Sequence, residues 1–501
     1  MMKLMYADRA CIQILTEKEK KMEKNKLLSK DALHTAVAII IGILIKMLLP
    51  ASDGLTELGV RALAVLVPTI YVWLTVSTGW TTIVAMCGLI MTGVLTYSAT
   101  WQGVLAASAC MIIITCIPLN VALQETGVIK AIVAWFISRK FVEGKPFAFM
   151  AMFLGSATII GFFFQSVTLA IIFCTLGQQV CSDLGYKKGD SFYNVLILGV
   201  LWVSVITNGA TPIAHAVPVI LMTLLETNTQ IVMTYGQYMS VGIPAAFVLL
   251  GVYLACAKYL WKVDTSLYKN YDAKKMANTE PLGKAGKFTF ILFILVVVTW
   301  LFPDIFAGVL PEAAAYVKGI GIATPAVFAI ALLCLVQFDG KPAGNFNKLF
   351  STIPLPTVIF TGFVTLFGSV VGLESTGIQV WLQTIFSPVT AGLSPIVMVI
   401  ICIAGVYIVT SFISNTVAII VFYSISVAIM LGMGMNVIPY VVLLGITGNL
   451  GALTPSASPN AGYFYGNFFE IKDVAKYNLS YILISCIVLL AVVYPFANIV
   501  L

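Results

Sequence analysis

The chain of 501 residues is 60% hydrophobic and only 10% charged, with a mean hydropathy of +1.01, a composition that excludes a water-facing exterior and with it a soluble enzyme. Most of the formal net charge of +7 lies between apolar runs, where it serves topology, and nucleic acid is not indicated. The runs suit helices, since about 20 residues cross the hydrocarbon, and they lack the alternation of barrel strands, so the fold class is an all-α polytopic membrane protein.

In chain order, residues 1–33, with the charged TEKEKKMEKNK, read as a cytosolic tail. Spans follow at 34–50, 61–77, 81–98 and 103–119, then an apolar stretch at 127–138. No small-residue cleavage site follows the first span, so it is an anchor and not a removed signal. The run 147–182 is interrupted by Gln165 and Ser166, too long for one span and too polar at its centre, and reads as a re-entrant hairpin. A run at 192–223 breaks at TNGATPIAHAVP, and a span at 237–260 closes the first half. The Lys-rich segment 261–287 reads as a cytosolic linker between a first repeat, 34–260, and a second, 288–501. The second holds spans at 288–303, 319–337 and 353–372, a hairpin at 394–431, a broken helix at 437–466 and a last span at 479–500. Ten cysteines stand singly, mostly in apolar runs, and read as buried free thiols.

Basic residues of the tail and of 139–145, 182–191, 258–287, 341–348 and 472–476 fall on one side if eleven spans and two re-entrant hairpins are counted. Positive charge is retained in the cytoplasm, which puts the amino terminus inside and the carboxyl terminus outside; the plasma membrane is the expected location.

Three motifs recur in order at offsets of 243 to 250 residues. Leu123-Gln124-Glu125-Thr126-Gly127 answers to Leu373-Glu374-Ser375-Thr376-Gly377, Ser166-Val167-Thr168 to Ser414-Asn415-Thr416, and TNGATPIAHA from Thr207 to GALTPSASPNA from Gly451. An odd number of crossings between copies makes the repeats inverted. Val167 then stands where the second copy has Asn415.

Backbone that leaves the helix at membrane depth survives only where protein, water or ligand satisfies it, so hairpin tips and breaks mark a cavity. Exposed carbonyls there suit Na⁺, while hydroxyls and half-helix amino termini suit an anion. Candidate sodium positions are Gln165, Ser166, Val167, Asn208 and Gly209 in the first half and Asn415, Ala452 and Thr454 in the second. Set against this, an isolated Ser or Thr in a membrane helix ordinarily bonds a nearby carbonyl. His215 reads either as a structural histidine or as a proton carrier, Glu125 and Glu374 as caps of interfacial or hairpin helices, and Gly155 and Gly161 as sites of close packing.

SNT at a hairpin tip, followed by the TP-x-x-x-PN break of Thr454, Pro455, Pro459 and Asn460, resembles the divalent anion/sodium symporter family of the ion transporter superfamily. The resemblance covers roughly residues 30–501. It implies an elevator-type homodimer, a moving transport domain of hairpins and broken helices, and sodium as coupling ion. It also implies substrate contacts from Ser414, Asn415, Thr416, Thr454, Pro455, Pro459 and Asn460, and from Ser166, Thr168, Thr211 and Pro212 in the more divergent first half. The implied activity is uptake of a small di- or tricarboxylate or related divalent anion, with a sodium-independent exchanger or a channel as alternatives. No HExxH, GxSxG or P-loop motif supports catalysis.

Overall fold

The computed structural model describes residues 29–501 except 53, 138–141, 165, 271–280, 322 and 391. Gln165 and nearly all of the expected tail therefore lie outside the described residues, as does the middle of the expected linker.

The first half begins with α1 (Lys30–Leu48), α2 (Glu57–Thr75), α3 (Trp80–Met91) and α4 (Tyr97–Leu105). Ser29, Thr56 and Thr96 start three of these by accepting a bond from a first-turn N–H. α5 (Ser108–Glu125) and the short α6 (Val128–Ile137) follow, then α7 (Pro146–Gly161) and α8 (Ser166–Leu184), which fold back on each other as a hairpin. α9 (Ser191–Ala210) and α10 (Ala216–Thr229) are the two pieces of a broken helix, and α11 (Tyr235–Ala255) closes the half. α12 (Lys284–Phe306), α13 (Pro311–Gly319) and α14 (Ala323–Leu335) lead into a two-residue β-hairpin, β1 (Gln337–Phe338) with β2 (Lys341–Pro342), and α15 (Phe346–Phe350). α16 (Leu355–Gly372), α17 (Ile378–Thr390), the hairpin α18 (Pro395–Thr410) and α19 (Asn415–Gly432), the broken pair α20 (Ile438–Gly448) and α21 (Pro459–Asn467), and finally α22 (Ile471–Val488) and α23 (Tyr494–Val500) complete the chain.

The order long helix, short helix, hairpin, broken helix, closing helix thus occurs twice, from α5 and again from α16. Its first joint is the LQETG and LESTG motif, where Gly127 and Gly377 take φ of 78° and 66°. That left-handed turn is open to glycine at no steric cost, and it lets a short helix leave a long one sharply.

Among the described residues nine helices are long and apolar enough to cross a membrane, or ten if α13 and α14, bent by 73°, form one span. The expected span at 81–98 ends at Met91, where Gly93 turns the chain with φ 70°. The expected linker ends early, since α12 starts at Lys284. α1 buries only Ala38 and exposes Ile39, Ile40, Ile43, Met47 and Leu48, the surface of a helix in lipid. At the opposite extreme, every residue of α9 from Phe192 to Ala210 is buried, because α7, α8, α11 and α20 surround it. Of the cysteines expected to be buried, Cys87 is exposed.

Candidate substrate cavity

Each hairpin reverses in a tight turn. Phe163 and Phe164 N–H donate to the Ile160 carbonyl in the first, and Phe412 and Ile413 N–H donate to that of Val409 in the second. The matching bonds set the structural register at 249 residues, with Phe162 opposite Ser411, which corrects the motif alignment by one residue. Ser166 is the counterpart of Asn415, and Val167 that of Thr416. Side-chain identity suggested the other pairing, but the backbone turn decides which residue opens each helix.

Breaks in the two central helices meet these turns. α9 runs to Ala210 and the chain is non-helical at 211–215, while the second break spans 449–458. The Thr211 hydroxyl donates to the Phe162 carbonyl at 2.6 Å, and the Thr454 hydroxyl to the Ser411 carbonyl at 2.7 Å. Ser456 adds a bond to the Phe412 carbonyl at 2.9 Å. Asn415 ties the same joint: its Oδ1 accepts from the Thr410 hydroxyl at 2.7 Å, and its Nδ2 donates to the Asn449 carbonyl at 3.0 Å. Close approach is allowed by Gly161, where a Cβ would stand 2.6 Å from Thr207 Oγ1. Gly155, by contrast, has open space beside it, so the close-packing role expected of it is not seen.

Both joints open on one cavity of about 720 Å³. Hairpins and breaks contribute Ser166, Asn208, His215, Ser414, Asn415, Thr416, Asn449, Pro455, Ser456, Ser458 and Asn460 among others, and the facing wall comes from Trp73, Ser77 and Thr78 after or at the end of α2, Cys116 and Asn120 on α5, and Pro354 and Thr357 at the start of α16. Among the described residues no Lys, Arg, Asp or Glu lines it.

Its electrostatics come from backbone. The amino termini of α8, α10, α19 and α21 all reach the cavity, through Ser166, His215, Ser414 and Ser458. Unsatisfied N–H groups and the helix dipole make each such end electropositive. Ser414 forms no side-chain cap, so the first-turn N–H groups of α19 are open to a ligand. Two acceptors balance these donors: Asn208 Oδ1 and Asn449 Oδ1 are buried without a hydrogen-bond partner among the described residues, on side chains 7% and 0% exposed. Amide oxygens left so are ready cation ligands.

Other expected site residues do not reach the cavity. Thr211 and Thr454 hold the joints, while Gly209 packs against Ile446 and its carbonyl accepts from the Tyr238 hydroxyl at 2.9 Å. Ala452 does not line the cavity, and its carbonyl accepts from Asn478 Nδ2 at 3.2 Å and from the Tyr465 hydroxyl at 3.0 Å. Pro212 does not line the cavity, and the side chains of Val167, Thr168 and Pro459 lie outside the description. Glu125 pairs with Lys348 at 2.6 Å, and Glu374 is exposed in the turn before α17. Sequence reasoning missed Asn449, two residues before the motif it used, and the whole facing wall, which carries no motif.

A family model, the transmembrane region of sodium:sulfate symporters, matches residues 30–501. The chain belongs to this family. No curated protein matches it. Among solved structures it is similar to the YdaH transporter of Alcanivorax borkumensis, with TM-score 0.56 and 10% identity over 80% of this chain and 88% of that one. It is also similar to MtrF of Neisseria gonorrhoeae, described as illuminating a class of antimetabolite efflux pumps, with TM-score 0.52 and 12% identity over 78% and 82% of the two chains. Identities so low speak for the fold alone. Family and fold make this symporter-family chain a multi-pass membrane transporter.

Proposed function

We propose that the chain takes up a small di- or tricarboxylate, or a related divalent anion, by Na⁺ symport with alternating access. The observation that carries this reading is the convergence of four helix amino termini on a cavity with no Lys or Arg among its described lining residues. Helix ends attract negative charge, but they hold no full counter-charge. Sodium supplies it, and the orphaned oxygens of Asn208 and Asn449 are where the ion finds ligands.

The energetics favour the pairing. Bringing one negative charge inward against 100 mV costs about 2.3 kcal/mol, and a dianion about 4.6. Two Na⁺ make the step neutral, and a third makes it driven by voltage. Hairpins and broken helices form the moving body in this reading, α1 to α6 and α12 to α17 the scaffold, and two copies a homodimer of the elevator type. With the basic loops in the cytoplasm, a cavity reaching the end of α2 and the start of α16 is open inward.

Uptake of radiolabelled succinate, citrate and sulfate into proteoliposomes, with and without a Na⁺ gradient, tests the proposal. Uptake that ignores Na⁺ but requires internal anion would replace symport with exchange, and flux that shows no counterflow would indicate a channel.

A further inference from the structure

We propose that His215 is a specificity-determining contact, whose Nε2–H donates a hydrogen bond to the bound anion. This rests on the anion reading of the cavity and gives His215, read from the sequence as structural or proton-carrying, a contact to the substrate.

His215 is the N-cap of α10, and its Nδ1 accepts from the Val217 N–H at 3.4 Å. A neutral imidazole has one donor and one acceptor nitrogen. With Nδ1 spent as acceptor, the proton is on Nε2. Among the described residues no hydrogen bond from Nε2 is formed, and the ring lines the cavity. Ser, Thr, Asn and Asp are the usual N-caps, and each spends its oxygen on the helix. Histidine caps with one nitrogen and still presents a donor from the other.

The second half shows what is different here. Its corresponding cap is Ser458, which accepts from the Ala461 N–H at 3.2 Å and donates to the Gly451 carbonyl at 3.4 Å. That hydroxyl is used within the protein. The two halves therefore offer the anion unequal ends, and the imidazole end carries a directed donor at a helix amino terminus, where a bond to an anionic oxygen is charge-assisted.

His215→Asn keeps a good cap but loses the reach of Nε2, whereas His215→Gln keeps an N–H donor at comparable length. In proteoliposomes at saturating Na⁺, His215→Asn is expected to raise the KM for succinate about tenfold or more, with the Na⁺ half-saturation little changed, and His215→Gln to recover much of the loss. The wild-type chain gives a second test that needs no variant. Diethyl pyrocarbonate modifies accessible imidazoles, and of the two histidines succinate with Na⁺ should protect His215 but not His34 from it, read by mass spectrometry. An unchanged KM in His215→Asn, or no protection of His215 in wild-type protein that transports succinate, overturns this assignment alone. If wild-type protein takes up none of succinate, citrate and sulfate, the anion reading falls and this assignment with it.

Discussion

The hydroxyl of Thr211 donates to the carbonyl of Phe162, 49 residues earlier, and so fastens the first break to the first hairpin turn. Thr454 does the same for Ser411 in the second half. Valine has the shape of threonine without the donor, and a buried carbonyl left unpaired costs about 1–3 kcal/mol. Thr211→Val and Thr454→Val should each lower the thermal midpoint of the purified protein. Wild-type melting in both would show that the joints contribute nothing.

Asn208 and Asn449 are expected to act through sodium. Each oxygen lacks a donor among the described residues, although Asn449 Nδ2 donates to the Gly445 carbonyl at 2.8 Å, a bond that Asn449→Ala also removes. Asn208→Ala and Asn449→Ala should raise the Na⁺ concentration for half-maximal uptake about tenfold, with a smaller change in substrate KM at saturating Na⁺. Na⁺ titration of uptake decides, and wild-type Na⁺ curves would remove both residues from the ion site.

Asn415→Ala should impair transport more than Val167→Ala. The Asn415 amide bonds both Thr410 and Asn449 while lining the cavity, so its removal opens the joint and alters the lining together. Substrate titrations on the two purified variants check this, and equal defects would contradict it.

The contact between α10 and α16 sets up a test of the conformational cycle. Leu224 and Asn228, one turn apart on α10, fill the space beside Gly368 and Gly372 on α16, and a Cβ on either glycine would collide with them. Overpacking of this kind costs about 1–3 kcal/mol. Gly368→Ala should therefore disfavour the state seen here and reduce labelling of a cysteine placed at Thr357, in the facing wall of the cavity. Leu224→Ala in the same chain should restore it; if the double variant labels no better than Gly368→Ala, the glycine notch is not the cause.

Glu125 is expected to be dispensable for sodium. Its partner Lys348 is 64% exposed, and ion pairs on the surface contribute about 0–1 kcal/mol. Glu125→Gln should leave the Na⁺ dependence of uptake unchanged, a result that flux assays at graded Na⁺ would show directly.

Composition, run length and the lack of barrel-strand alternation determined a helical membrane protein, because a spanning backbone is satisfied only within helices or closed barrels. Polar residues inside long apolar runs likewise pointed to places where helices end, and helices do end at Gly161, Ala210, Thr410 and Gly448. Tertiary structure decided what each of those residues does. Thr211, Thr454 and Ala452 carry the same groups as cavity residues in the sequence, yet their bonds run to Phe162, Ser411, Asn478 and Tyr465. Which direction a hydroxyl or carbonyl faces depends on how a hairpin turn meets a break from elsewhere in the chain. The register of 249 was hidden for the same reason, because hydrogen bonds in the turn and not matching letters place Ser166 opposite Asn415. Trp73, Asn120 and Thr357 had no motif to announce them, and only tertiary packing brings them to the cavity.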